Sequence, residues 1–185
     1  MQWVWRIAAC LLIGCSRPER VTAPDPIAAP PTRADVWREI QPRAARYRLS
    51  AGLVYALVAA ESNFDARAQN GQARGLMQLT PAAWQTVSSK PYEPTVWDWR
   101  ENVSVGIDYL AHTRGMLHRH GHFSLPLLAA AYHYGLDYVS ARKFELRRIP
   151  PPDHVVYRRI WAGEVEPIDV PVADSAAPAT GGLEP

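Results

Sequence analysis

At 185 residues the chain has the length of one domain, and a composition of 48% hydrophobic and 21% charged residues describes a folded protein rather than a disordered one. Residues 34–160 hold 16 basic and 11 acidic side chains. That mild positive balance favours an anionic polymer weakly but lacks the dense basic stripe of a nucleic-acid binder, so nucleic acid is excluded as the expected partner. Prolines cluster near Pro18 to Pro31 and Pro150 to Pro152 and mark boundaries.

The first fourteen residues carry one charged side chain, Arg6, followed by the apolar run Ile7 to Ile13. The run is too short to cross a bilayer and fits an export signal over residues 1–14. It ends Leu12-Ile13-Gly14-Cys15, which resembles a bacterial lipobox. The resemblance implies that Cys15 becomes the lipidated first residue of the mature chain and its membrane anchor. Cys10 leaves with the signal, so no disulfide is expected. Ser16 is the residue that similar outer-membrane lipoproteins carry next. The expected location is the periplasmic face of the outer membrane, with a soluble periplasmic protein as the alternative. Residues 15–33 are rich in Pro, Ala and Arg and cannot bury enough surface to fold, which makes them a tether. Residues 162–185 repeat that logic as an acidic, solvated tail, leaving a domain over residues 34–161.

Within the domain the periodicity is helical. Trp37, Ile40, Ala44 and Tyr47 recur at spacings of three and four, and Pro42 is a candidate kink. Ser50 can cap a helix over Ala51 to Ser62 whose residues are apolar on nearly every side, so this helix is expected to be buried. Asn63 to Gly75 reads as a loop or small hairpin. Thr80-Pro81 then supplies a cap and a first-position proline for a helix from Ala82 to about Ser88. The Trp-rich passage Pro91 to Arg100 looks irregular. Helical spacing returns over Asn102 to Leu117, Leu125 to Tyr134 closed by Gly135, Asp137 to Arg148 and Asp153 to Trp161.

One carboxylate stands out. Glu61 follows Leu57-Val58-Ala59-Ala60 at the C-terminal end of an apolar helix, where both burial and the helix dipole disfavour negative charge. That is the setting a general acid requires at neutral pH. By periodicity alone, a solvated glutamate at a helix end is the simpler reading. The wider segment changes this: Ala56-Leu-Val-Ala-Ala-Glu61-Ser62-Asn63-Phe64 is followed by Gly75-Leu-Met-Gln78-Leu-Thr-Pro81, Asn102-Val-Ser-Val-Gly106-Ile-Asp-Tyr109-Leu110 and Ala129-Ala-Ala-Tyr132-His133-Tyr134-Gly135. Four blocks in this order resemble the Slt-type lytic transglycosylases, a lysozyme-like family, over about Val36 to Ile160.

The resemblance implies a mainly α, lysozyme-like helical domain with a cleft and at most a small hairpin. It implies peptidoglycan glycan strands as the substrate, and a single glutamate that first protonates the bond between N-acetylmuramic acid and N-acetylglucosamine and then acts as base toward the sugar's own C6 hydroxyl. The product is a 1,6-anhydromuramyl end. An ordinary glycosidase needs a second carboxylate, and the nearest, Asp65, lies past the helix end and reads as a loop residue. The resemblance further implies that Ser62 contacts substrate, that Met77 and Gln78 line the cleft, and that Tyr132 hydrogen-bonds the catalytic carboxyl. It also places Tyr157 as a cleft tyrosine, although the residues before it match poorly. His133 and Tyr134 depart from the family, which commonly has Asn and then Ala there, so His133 is a substrate-binding candidate of altered chemistry.

No cofactor is implied. His118, His120 and His122 alternate as metal ligands can, but no carboxylate or cysteine joins them, and a loop between helices is the preferred reading. Trp97 and Trp99 suit either sugar stacking or a core wall. The alternatives to a lytic transglycosylase are a hydrolytic muramidase and a non-catalytic wall-binding or secretion-accessory protein, the latter associated with a secretion or wall-remodelling machine.

Overall fold

The structure, a computed structural model, describes residues 30–164 and 166–171. The expected export signal over residues 1–14, Cys10, Cys15, most of the expected tether and residues 172–185 lie outside the described residues. The described chain is mainly helical, with one two-stranded hairpin. Seven α-helices follow in order: α1 Arg33–Arg46, α2 Ala51–Ser62, α3 Pro81–Val87, α4 Trp99–Arg119, α5 Leu125–Tyr134, α6 Leu136–Ala141 and α7 Val155–Trp161. Between α2 and α3, β1 Gln69–Asn70 pairs antiparallel with β2 Ala73–Arg74. No helix among the described residues is long and apolar enough to cross a membrane.

Helix α2 is the centre of the fold. Gly52 to Val58 are all buried, so packing rather than an amphipathic stripe selects this helix, and α1 and α7 cover it. Ser50 caps its start by accepting from Leu53 N–H, and Asn63 ends it in the left-handed conformation that Asn tolerates better than most residues. Helix α4 is the second organising rod, packing against α1, α3 and α5. Thr80 caps α3, Asp98 caps α4 and Ser124 caps α5, each through a side-chain oxygen that accepts from backbone N–H groups of the first turn.

The structure corrects four boundaries. Helix α4 begins at Trp99, inside the passage expected to be irregular, because Asp98 rather than a later residue provides its cap. The helix expected over Asp137 to Arg148 stops at Ala141, and Lys143 and Phe144 both have positive φ, near 57° and 56°. Tertiary contact overrides propensity there: the Phe144 ring stacks on His120 and His122 and packs against the core. Finally, the chain does not leave the domain at residue 162. The Glu166 side chain lies over Gly52 at the start of α2, Pro167 is buried, and Ile168 and Val170 pack on the core. Those two aliphatic residues give the segment enough apolar surface to stay on the domain despite its acidic composition. At the other end Thr32 forms a capping box with Asp35, which brings the folded domain forward to Thr32.

Candidate active site

A cavity of about 360 Å³ opens between the hairpin and loop that follow α2 and the C-terminal end of α5. Glu61, Gln78, Tyr109, Tyr132, His133 and Tyr134 are among its lining residues. Among the described residues Glu61 is the one carboxylate in that lining, and no Lys or Arg joins it. Its side chain is only 11% exposed.

The two Glu61 oxygens differ in their surroundings. Oε1 accepts from the Tyr157 hydroxyl and lies 3.2 Å from His133 Nδ1. No protein partner among the described residues occupies Oε2. Burial, reinforced by the negative charge of Glu61, pushes the Tyr157 phenol well above its ordinary range, so it stays a neutral donor at any physiological pH. An oxygen already accepting from a neutral hydroxyl behaves as the carbonyl oxygen of a carboxylic acid. A proton carried by this carboxyl would therefore sit on Oε2, the oxygen without a protein partner among the described residues.

This arrangement corrects the expectation for Tyr132. Its hydroxyl donates to the Met77 carbonyl at 2.8 Å instead of to Glu61. On α5, residue 132 faces the loop after the hairpin while residue 133 faces the carboxylate, so the tether to Glu61 comes from α7 through Tyr157. Tyr132 still lines the cleft, and burial first, then the charge of Glu61, raises its phenol well above the usual range.

Met77 also departs from expectation. It is fully buried, packs against Gly106 of α4, and lines no part of the cleft. Gln78 does line the cleft, in a left-handed backbone conformation with φ 46°, and its amide braces the loop by donating to the Ala68 and Gly75 carbonyls at 3.1 and 2.9 Å. The Ser62 hydroxyl is turned back onto its own helix, donating to the Val58 carbonyl at 3.1 Å, and does not line the cavity. Asp65 accepts from Arg67 N–H at 2.8 Å and lines a different cavity of about 390 Å³ with Trp97 and Trp99. That cavity shares no lining residue with the Glu61 cleft, so the two tryptophans stand away from the carboxylate. The rings of His118, His120 and His122 stack on Phe123 or Phe144, in the connection between α4 and α5 and its surroundings.

One residue that matters to the site went unremarked in the sequence as anything but part of a block. Asn102, wholly buried on α4, accepts from Met77 N–H at 2.8 Å and donates to the Arg74 and Val96 carbonyls at 3.0 and 3.1 Å. It clamps the loop that forms one cleft wall. Gly75 lies so close that a Cβ there would collide with the Asn102 amide, and its φ of 75° already favours glycine. The available signal was a polar residue on the same helical face as the buried Val103 and Gly106.

The family model described as Transglycosylase SLT domain matches residues 38–146, more than half of the chain. The chain belongs to the transglycosylase SLT family. The match ends before α7, so the Tyr157 that tethers Glu61 lies beyond it. Among solved structures, the chain is similar to an inactive mutant of the lytic transglycosylase Slt from Pseudomonas aeruginosa, at 25% identity and a TM-score of 0.48. That likeness covers 78% of this chain and 21% of the other, so this chain spans about a fifth of that protein's length. No curated protein matches.

Proposed function

We propose that this SLT domain is a peptidoglycan lytic transglycosylase in which Glu61 is the single acid and base. The observation that supports it most directly is a nearly buried carboxyl, alone of its kind in the cleft lining, with one oxygen tethered and the other free. Glu61 Oε2 gives its proton to the glycosidic oxygen between N-acetylmuramic acid and N-acetylglucosamine as the C1–O bond breaks. The resulting carboxylate then takes the proton of the muramyl C6 hydroxyl, whose oxygen closes onto C1. The proton count returns to its starting value, and the product carries a 1,6-anhydro bridge with no water added. A two-carboxylate glycosidase would need a second acidic group about 5 to 9.5 Å away to act as nucleophile or to activate water, and the cleft lining offers none.

Residues 1–15 support export and lipidation at Cys15, which would hold the domain at the periplasmic face of the outer membrane within reach of the wall. The test of the activity is Glu61→Gln. The variant is expected to fold as the wild type does and to lose release of muropeptides from purified sacculi by at least about a hundredfold, the scale of a lost general acid. Mass spectrometry of the wild-type products is expected to show termini lighter by one water than hydrolysed ends. Hydrolysed ends would instead establish a muramidase, and wild-type activity in Glu61→Gln would remove Glu61 from the chemistry.

A further inference from the structure

We infer that His133 is a positioning residue for Glu61 which must be neutral during turnover: its Nδ1–H holds Oε1, and a proton added to the ring stops the reaction. The inference rests on the assignment of Glu61 as the catalytic acid and deepens it.

The argument starts from which atom donates. Nδ1 of His133 lies 3.2 Å from Oε1, the oxygen that already accepts from the Tyr157 hydroxyl. Since that oxygen serves as the acceptor, the imidazole contributes an N–H. The ring is fixed by its neighbours: it meets the edges of Tyr134 and Tyr157 at centroid distances of 4.8 and 5.0 Å. Only 35% of the side chain is exposed. Two donors on one carboxylate oxygen define its orientation more narrowly than one, and both bonds strengthen when Glu61 becomes an anion after giving up its proton. The Nδ1 proton itself is never transferred.

The requirement for neutrality follows from charge. The groups facing the imidazole are Glu61 from α2, Tyr157 from α7, and Tyr134 and Tyr132 on α5, with Tyr109 of α4 across the cleft. None of these is cationic, and among the described residues no Lys or Arg lines the cavity, so there His133 is the one side chain able to become positive. Glycosidic bond cleavage passes through an oxocarbenium-like transition state, which carries positive charge on the sugar. An imidazolium beside it opposes that charge. It also stabilises ionised Glu61 before the proton has been delivered.

The experiment measures kcat and KM from pH 4.5 to 8.5 on soluble uncrosslinked glycan strands, for the wild type, His133→Phe, His133→Asn and Glu61→Gln. For the wild type, kcat is expected to fall toward acid as the ring gains a proton. His133→Phe keeps the ring packing but loses the donor, and kcat is expected to fall about tenfold with KM little changed, the effect of one hydrogen bond to a charged group. His133→Asn restores a donor and removes the titrating ring, so it is expected to recover most of kcat while losing the acid limb. A His133→Phe variant with wild-type kcat, or a His133→Asn variant that keeps the acid limb, overturns the inference. Activity in Glu61→Gln would overturn the underlying assignment instead, which keeps the two failures apart.

Discussion

The two walls beside Glu61 reach order by different means. On the hairpin side, the loop Gly75 to Thr80 is fixed through its backbone: Asn102 bonds Met77 N–H and the Arg74 carbonyl, Tyr132 donates to the Met77 carbonyl, and Gln78 braces two more carbonyls. On the other side, α5 and α7 are held by aromatic and aliphatic packing and present side chains, His133 and Tyr157, directly to the carboxylate. The first wall shapes the cleft without touching the Glu61 carboxyl. The second touches it. Substitutions in the first should therefore lower stability first and activity as a consequence, whereas substitutions in the second should lower activity with stability nearly preserved.

The largest effect is expected at the clamp. Asn102→Ala removes the partner of the Met77 N–H and of the Val96 carbonyl, while the Arg74 carbonyl still accepts from Leu79 N–H, and should destabilise the domain by about 3 kcal/mol, roughly 10 °C in Tm. Calorimetry checks this, and a Tm within about 2 °C of the wild type would mean that the loop is held by packing alone. Next in size, Tyr157→Phe should lower kcat about tenfold, since one of the two donors to Oε1 is lost, while Tm changes by only a few degrees. If Tyr157→Phe instead unfolds the domain at assay temperature, the distinction between the walls collapses, because Tyr157 is also nearly fully buried.

The smallest effect appears in alkali and involves both walls. Burial raises the Tyr132 and Tyr157 phenols well above their ordinary range, so the folded state holds these protons more tightly than the unfolded chain does. Their contribution to stability is complete below about pH 10, where an unfolded tyrosine titrates, and is lost as pH rises from there through the higher folded values. Thermal melts between pH 9 and 11.5 should show stability falling faster in the wild type than in Tyr132→Phe or Tyr157→Phe. Parallel slopes would indicate that other groups dominate alkaline unfolding.

Residues close together in the chain made much of this protein legible from its sequence. The caps Ser50, Thr80 and Ser124, the spans of α2 and α5, and the fully apolar character of α2 follow from local hydrogen bonding and periodicity, which need no knowledge of distant neighbours. The candidacy of Glu61 is different: its own turn and helix end read as a solvated glutamate, and the four blocks that resemble a known family single it out. What only the tertiary structure decided involves residues far apart in sequence. Tyr157, 96 positions from Glu61, tethers it in place of Tyr132; Met77 turns into the core against Gly106; and Asn102 reaches the loop 25 positions before it. Helix α6 breaks early because Phe144 meets His120 and His122, and residues 166–171 stay on the domain because α2 offers them a surface. Periodicity sets which face of a helix is apolar, but the direction in which a polar tip points across a cleft depends on how three or four helices pack at once, and that information is distributed over the whole chain.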